Sequence, residues 1–479
     1  MKKSIGITAL GAGILAVLTF GHAAPTEAQL GRLGPPSAAR PKGAGVPAGL
    51  PAERGEAVSA NVLVNDPRGQ LCGVDGCVQS ETTIATNGGT VLYAGWNDSE
   101  GFFNPAAGVS GFGVSTDGGA TWTDGGGLPQ GAGLVAGDPS MAVCNDPNQV
   151  FYANLYVRTG QANPDISVHT GARAGNTVSW SAPVLATRTD SVFEDKEYLV
   201  CDRTNNNLYL AYTAFGFNGQ IEFRRSTDGN QSWGPPVILQ REEASTVNQG
   251  AYPATGPNGE VCVAWVRGWL TQLRPQIRLR CSIDQGRTFG PPVTVGTLLS
   301  NAFLGLGPAG YNRGVILESP FIDIDKSGGP NNGTIYVAWQ TARGLLPQRR
   351  RYDVVLNTCT LSGDTPVCGA PVGVNDTPND GADDFWPWVS VAPDGSVGIL
   401  WYSNTAGITD VFIDVSPNGG AGVDQRVTDV SSNWLAADAD ATPNFGDYIN
   451  LTSSANGFHA VWGDGRRGDP DVFYATITP

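Results

Sequence analysis

Carboxylates and arginines stand at corresponding places along this chain, and they limit the chemistry open to it. Acidic groups occupy the starts of apolar strands: Glu81, Asp138, Asp195 and Glu197 on either side of Lys196, Asp383-Asp384, and Asp447 before Tyr448. The ends of the following strands carry Asp98, Arg158, Arg267, Arg343, Asp464 and Arg466. Paired carboxyl groups do acid–base work, and guanidinium groups grip anions in a bidentate fashion. Aromatic faces such as Phe102, Phe103, Trp386 or Trp388, and Trp434 could pack on a sugar ring. The combination suits a pocket for a glycan or glycoprotein.

Other chemistries lack their residues. Beyond the N-terminal segment only His169 and His459 remain, too few for a His-based zinc site and a poor basis for a Ser-His-Asp triad. The eight cysteines can all pair. Cys72 and Cys77 would close a small loop, and Cys359 and Cys368 flank a hairpin-like turn. Cys262 and Cys281 would face each other on antiparallel strands, and Cys144 and Cys201 hold matching positions in successive repeats. No thiol is then left for catalysis. Ile322-Asp323-Ile-Asp325-Lys-Ser327-Gly328 looks like half a calcium loop, but its twelfth position is Thr334 rather than Glu, so an EF-hand fails. No cofactor is required; a calcium ion in an acidic central channel is the one metal the residues leave open.

These side chains must be positioned by repeats. An apolar strand with a landmark pair recurs seven times: Gly95-Trp96, Ala153-Asn154, Ala211-Tyr212, Ala264-Trp265, Ala338-Trp339, Leu400-Trp401 and Val461-Trp462. The intervals are nearly regular, the one from Trp265 to Trp339 being the longest. Units of this length with four strands each predict an all-β propeller of seven blades, or six if one landmark belongs to an insertion. Alternation within strands agrees: Ile277, Leu279 and Cys281 share one face, Arg278 and Arg280 the other. The last unit holds only about three strands, and Asn61-Val62-Leu63-Val64 could supply the fourth and close the ring.

A turn motif also repeats. It reads Ser115-Thr-Asp117-Gly-Gly119-Ala-Thr-Trp122 and Ser282-Ile-Asp284-Gln-Gly286-Arg-Thr-Phe289, with a third copy, Ser226-Thr-Asp228-Gly-Asn230-Gln-Ser-Trp233. Ser-x-Asp-x-Gly-x-x-aromatic resembles the Asp box of bacterial neuraminidase repeats, and the chain after residue 57 resembles the sialidase superfamily. The resemblance implies that the boxes are structural turns between third and fourth strands. The active face is then the opposite one, carrying the residues named first. It implies an exo-α-sialidase type of glycoside hydrolase, with Tyr448 as nucleophile, Glu81 or Glu197 as its base and Asp98 as acid. Arg267, Arg343 and Arg466 would clamp an anion, with Asp447 and Trp434 beside the substrate. The family's early Arg-Ile-Pro motif has no counterpart here; Asn61-Val62-Leu63-Val64 contains no Arg. The other outcome is a non-catalytic propeller that binds glycan or protein at the cell surface.

Bulk properties set the context. The chain has 479 residues, a formal net charge of −15 and 65 glycines, with 15% charged and 9% aromatic residues. That composition fits short strands and tight turns, and the acidic surface excludes nucleic acid as a partner. Lys2 and Lys3 followed by an apolar run predict a secretory signal peptide over 1–28. A Pro/Gly/Ala-rich linker over 29–57 and the propeller over 58–479 follow. The expected protein is a monomer, secreted to the exterior or cell surface (the periplasm being the other destination), with no transmembrane segment after signal removal.

Overall fold

The computed structural model describes residues 49–478, apart from 52–53, 56, 73–75, 190–191, 347–349, 378–379 and 418–421. The expected signal peptide lies outside the described residues, as does most of the expected linker. Seven antiparallel sheets follow one another around a central channel, one for each landmark pair, giving a seven-bladed propeller. The innermost strands are Gln79–Ala85, Ser140–Ala142 (continued from Gly133–Val135), Phe193–Asp202, Asn248–Thr255, Phe321–Ile324, Asp383–Val391 and Asn450–Ser454. We number the blades 1 to 7 in that order.

Each sheet is covered on both faces, so its strands are apolar on both sides yet still alternate. Along Val261–Arg267 of blade 4, Cys262, Ala264 and Val266 join the core shared with blade 5. Val261, Val263 and Trp265 join the core shared with blade 3. Ile277, Leu279 and Cys281 follow the first set, as their spacing predicts. The landmark tryptophans Trp96, Trp265, Trp339, Trp401 and Trp462 are among the largest fully buried side chains. Burial of each contributes roughly 3 kcal/mol.

The ring closes through strands from the two ends of the described chain. Val62–Leu63 pairs with Phe473 and Tyr474 of blade 7, Val64 N–H donates to Val472 O, and Asn65 exchanges hydrogen bonds with Asp471 and Val472. Blade 7 thereby gains its outermost strand and becomes four-stranded. Within the expected linker, Gly49–Pro51 pairs with Val430–Ser432 of blade 6.

The three Ser-x-Asp turns are alike and lie between third and fourth strands. In the first, Ser115 Oγ donates to Asp117 and accepts from Gly119 N–H, while Asp117 accepts from Thr121 N–H and Oγ1. The second and third repeat this pattern around Asp228 and Asp284. The residue four places after the Ser has a positive φ in every copy and packs on the preceding blade. A Cβ on Gly119 would meet Tyr474 at 2.0 Å, and one on Gly286 would meet Phe223 at 2.5 Å. Where Asn230 stands instead, φ is 71° and the side-chain amide donates to Val168 O of blade 2. Trp122 and Phe289 lie edge-on against Tyr474 and Phe223. The four disulfides are Cys72–Cys77, Cys144–Cys201, Cys262–Cys281 and Cys359–Cys368, the pairing the spacing predicts.

Candidate functional site

At the end of the channel opposite the Ser-x-Asp turns, the inner strands share an irregularity. Register shifts fall between Ser80 and Thr83, Asp195 and Tyr198, Gln249 and Tyr252, and Phe385 and Trp388. The bulged residues take left-handed backbone: Glu81 (φ 50°), Lys196 (51°), Gly250 (63°) and Trp386 (49°), with Asp138 (54°) at the matching break in blade 2. Such backbone at non-glycine residues costs about 1–3 kcal/mol each and clusters at functional sites. Here the bulges turn three charged side chains toward one point.

That point is the Lys196 ammonium. Its Nζ lies 2.9 Å from Glu81, 3.0 Å from Asp138 and 3.1 Å from Asp447. Asp447 is gripped on both oxygens by Arg313. Lys196 also sits 5.6 Å from the centroid of the Tyr448 ring. Asp195 accepts from Gln249 Nε2 at 2.6 Å. Neither carboxyl oxygen of Glu197 has a hydrogen-bond partner, although its residue is only 2% exposed. Below the ions, Tyr198, Tyr252, Phe321 and Trp388 pack ring against ring, and Asn450 donates to Tyr198 OH. These rings fill the channel, and the charged groups cluster above them at the place we call the cup.

Burial and charge divide the protons unequally. Burial works to raise the pKa of Asp447, but Arg313 and Lys196 outweigh it and hold the carboxyl below the usual carboxylate range. Burial, with Asp138 nearby, pushes Glu197 well above that range and Asp195 to about 7. Burial and Asp138 also raise Glu81 against the pull of Lys196. Lys196 itself would be lowered by burial, but the carboxylates of Asp138, Glu81 and Asp447 raise it and keep it charged. Burial, then Glu81, lifts the Tyr448 phenol well above its ordinary value, and its hydroxyl donates to Pro139 O. One carboxyl group therefore holds its proton while another nearby has lost it, the division that acid–base catalysis needs.

A long loop covers this cup, in the stretch between Trp265 and Trp339. Its ends are pinned by the Glu318 carboxyl, which accepts from Ser300 Oγ (2.5 Å), Asn301 N–H (3.0 Å), Ala302 N–H (3.2 Å) and Tyr352 OH (2.5 Å). Its tip reaches the segment before blade 7. Tyr311 OH donates to Gly446 O at 2.7 Å, and Asn312 and Asn444 each accept the other's backbone N–H, at 3.0 and 3.2 Å. Gly310 (φ 86°) fits where a Cβ would lie 2.6 Å from Trp434 backbone. This is an Ω-loop with a carboxylate-tied neck.

The residues expected at the site divide into two sets. Glu81, Glu197, Asp447 and Tyr448 meet at the cup. The expected arginine clamp does not form. Arg267 is bound by Glu243, Arg343 by Asp353, and Arg466 by Asp429 and Asp464. Each has a nearer carboxylate from its own or an adjoining segment, which outcompetes a distant site. Asp98 accepts from Gln79 and Glu100 N–H, and burial raises it to about 6. Trp434 is no open platform: it stacks on Phe445 at 4.0 Å, 2% exposed. Lys196 occupies the acidic channel where calcium was an option, and among the described residues no group of three His, Cys or acidic side chains is arranged for a metal. Tyr311 and Arg313 carry no repeat signature; the long interval before Trp339 was their only trace. Two open grooves lie away from the cup, one near Asn65, Trp122 and Arg467 and one near Arg224, Trp233 and Arg287.

No protein-family model matches the chain, and no curated protein matches it. Solved structures do. A polysaccharide lyase, an ulvan lyase, aligns over 90% of this chain and 96% of its own at 11% identity, with a TM-score of 0.51. An α-L-arabinofuranosidase from Fusarium graminearum aligns over 75% and 98% at 14% identity, TM-score 0.48. A leech intramolecular trans-sialidase aligns over 68% and 65% at 12%, TM-score 0.46. At these identities the likeness is one of fold.

Proposed function

We propose that this protein is a carbohydrate-active enzyme whose chemistry takes place in the cup around Lys196. The observation that carries the reading is the buried ion cluster itself. Two cations and five carboxyl groups are withdrawn from water at the mouth of a channel, at strained bulges, opposite the face that holds the fold together. Charges buried in this way seldom stabilise a protein more than apolar packing would, so function is the better reason for them. Glu197, which keeps its proton, would protonate the departing sugar oxygen. Asp447, held ionised by Arg313 and Lys196, would act as base or stabilise positive charge on the sugar ring. Because the charged groups are nearly inaccessible, a sugar reaches them only when the Ω-loop over residues 300–318 lifts. Four disulfides suit an oxidising compartment, and the chain is read as secreted. No helix among the described residues is long and apolar enough to cross a membrane.

The narrower sialidase-type reading makes Tyr448 the nucleophile. Its place beside Glu81 and Lys196 at the cup supports it; the raised phenol, its hydrogen bond to Pro139 O and the dispersed arginines weigh against it. A second reading, a non-catalytic propeller binding glycan or protein, is favoured by one observation: Lys196 and the carboxyl groups around it are covered, Arg313 alone being partly exposed. The test compares turnover of a panel of chromogenic glycosides, sialosides included, by the purified protein and its Glu197→Gln and Tyr448→Phe variants. Glu197→Gln should lower kcat by at least ~100-fold. Unchanged turnover in Glu197→Gln removes the proposed acid, and unchanged turnover in Tyr448→Phe removes the nucleophile.

A further inference from the structure

We infer that the cup accepts an uncharged, hydroxyl-rich sugar and rejects sugars bearing a carboxylate or sulfate. The inference rests on the catalytic-cup reading and concerns its substrate class. A site for an anion must offer donors that are not already taken. Lys196 has three N–H groups and faces three carboxylates, Glu81, Asp138 and Asp447. Arg313 directs one N–H of each Nη at Asp447 and Nε at Val315 O, so its charge is already paired with the Asp447 carboxylate. The arginines that could have served instead, Arg267, Arg343 and Arg466, are each bound to carboxylates elsewhere. An incoming carboxylate would meet an acidic wall with no uncommitted cation.

The unsatisfied groups are of the opposite kind. Glu197 Oε1 and Oε2, Asp195 Oδ1 and Ser319 Oγ are buried without partners. Asp195 and Glu197 flank Lys196 in the inner strand of blade 3, and the Ser319 hydroxyl would be 1.9 Å from a Cβ on Gly250, the bulge of blade 4. These groups need hydrogen-bond partners, and sugar hydroxyls, which both donate and accept, supply them. The raised Asp195 and Glu197 carboxyls reduce the negative charge of the cup, so the balance does not call for a cationic sugar either. The chain's net charge of −15 works against polyanions at longer range.

The decisive comparison uses substrates that differ only in charge. The wild-type protein is assayed with 4-nitrophenyl glucoside and glucuronide in both anomers, with neutral furanosides, galactosides and rhamnosides, a glucosaminide and a fluorogenic sialoside. The same protein is applied to an array of neutral, uronic, sulfated and amino-sugar glycans. Turnover confined to neutral glycosides, with charged ones at least ~100-fold slower, supports the inference. A carboxylated, sulfated or amino sugar as the best substrate overturns it while leaving the catalytic reading intact. If nothing is turned over but neutral glycans alone are bound, the catalytic reading fails and the substrate class stands. Binding dominated by charged glycans, or no binding and no turnover, overturns the inference.

Discussion

The two ends of the channel are built on opposite plans. At one end, three Ser-x-Asp turns repeat the same hydrogen bonds within eight residues of sequence, each turn complete in itself and anchored to the blade before it. At the other end, no blade is complete alone. Glu81, Asp138, Lys196 and Asp447 come from four blades, and Arg313 from a loop, to make one ion cluster. The first end is stabilised by sameness between repeats and the second is made by differences between them. At equivalent bulge positions blade 1 has Glu, blade 3 Lys, blade 4 Gly and blade 6 Trp. A repeat fold can thus keep one end constant as a frame and vary the other as a site.

The sharpest way to break this comparison is to remove the central cation. Lys196→Met should destabilise the protein by about 3–5 kcal/mol at neutral pH, because three buried carboxylates lose their common partner. Asp447 has a folded pKa below its unfolded value, so its contribution is present above ~4 and lost as pH falls. The variant's deficit should therefore shrink in acid. Urea denaturation at several pH values measures this, and a variant as stable as wild type at neutral pH would contradict the ion cluster.

The frame end is tied covalently where Cys144, just past the inner strand of blade 2, joins Cys201 in the inner strand of blade 3. Replacing both cysteines by serine should cost about 4 kcal/mol, against about 2 kcal/mol for Cys72 and Cys77, since the sequence separations are 57 and 5. Turnover, if present, should survive either change; loss of turnover with the fold intact would show that the two ends are coupled.

Glu197→Gln should separate function from stability. The folded pKa of Glu197 is raised, so ionising it costs stability as pH climbs above ~4. The amide removes that cost, and the variant's melting temperature should exceed wild type's increasingly toward alkaline pH. A melting temperature lower at every pH would mean that the carboxyl is structural.

The smallest effect is expected at one repeated turn. Asp228→Ala should cost about 1 kcal/mol and leave the cup unaffected. Ser232 hydrogen bonds hold the Asp228 carboxyl at about 2, so its contribution is complete above ~4 and fades toward pH 2. Thermal melts at neutral pH and near pH 2 check it.

What was legible in the sequence follows the same division. Features written locally were readable: the landmark strands gave seven blades, the Ser-x-Asp spacing marked the turns, and the cysteine spacing gave all four bridges. The Glu81, Glu197, Asp447 and Tyr448 group could be named because strand starts project to one end. The arginine clamp failed because sequence places Arg267, Arg343 and Arg466 at the right strand ends but does not reveal Glu243, Asp353 and Asp429, which bind them. Arg313 was hidden because nothing in a loop's composition says how far its tip will reach.

The closing strand has a consequence for how the molecule is assembled. Asn65 meets Asp471 across 406 positions of chain. Contacts this distant in sequence form late, after the entropy of a very long loop has been overcome. Until then Val62–Leu63 has no partner and the flank of blade 1 is bare. A chain stopped short of its last strand would lose not one strand but the seam, leaving Val62–Leu63 and Gly457–Asp464 each without the partner between them.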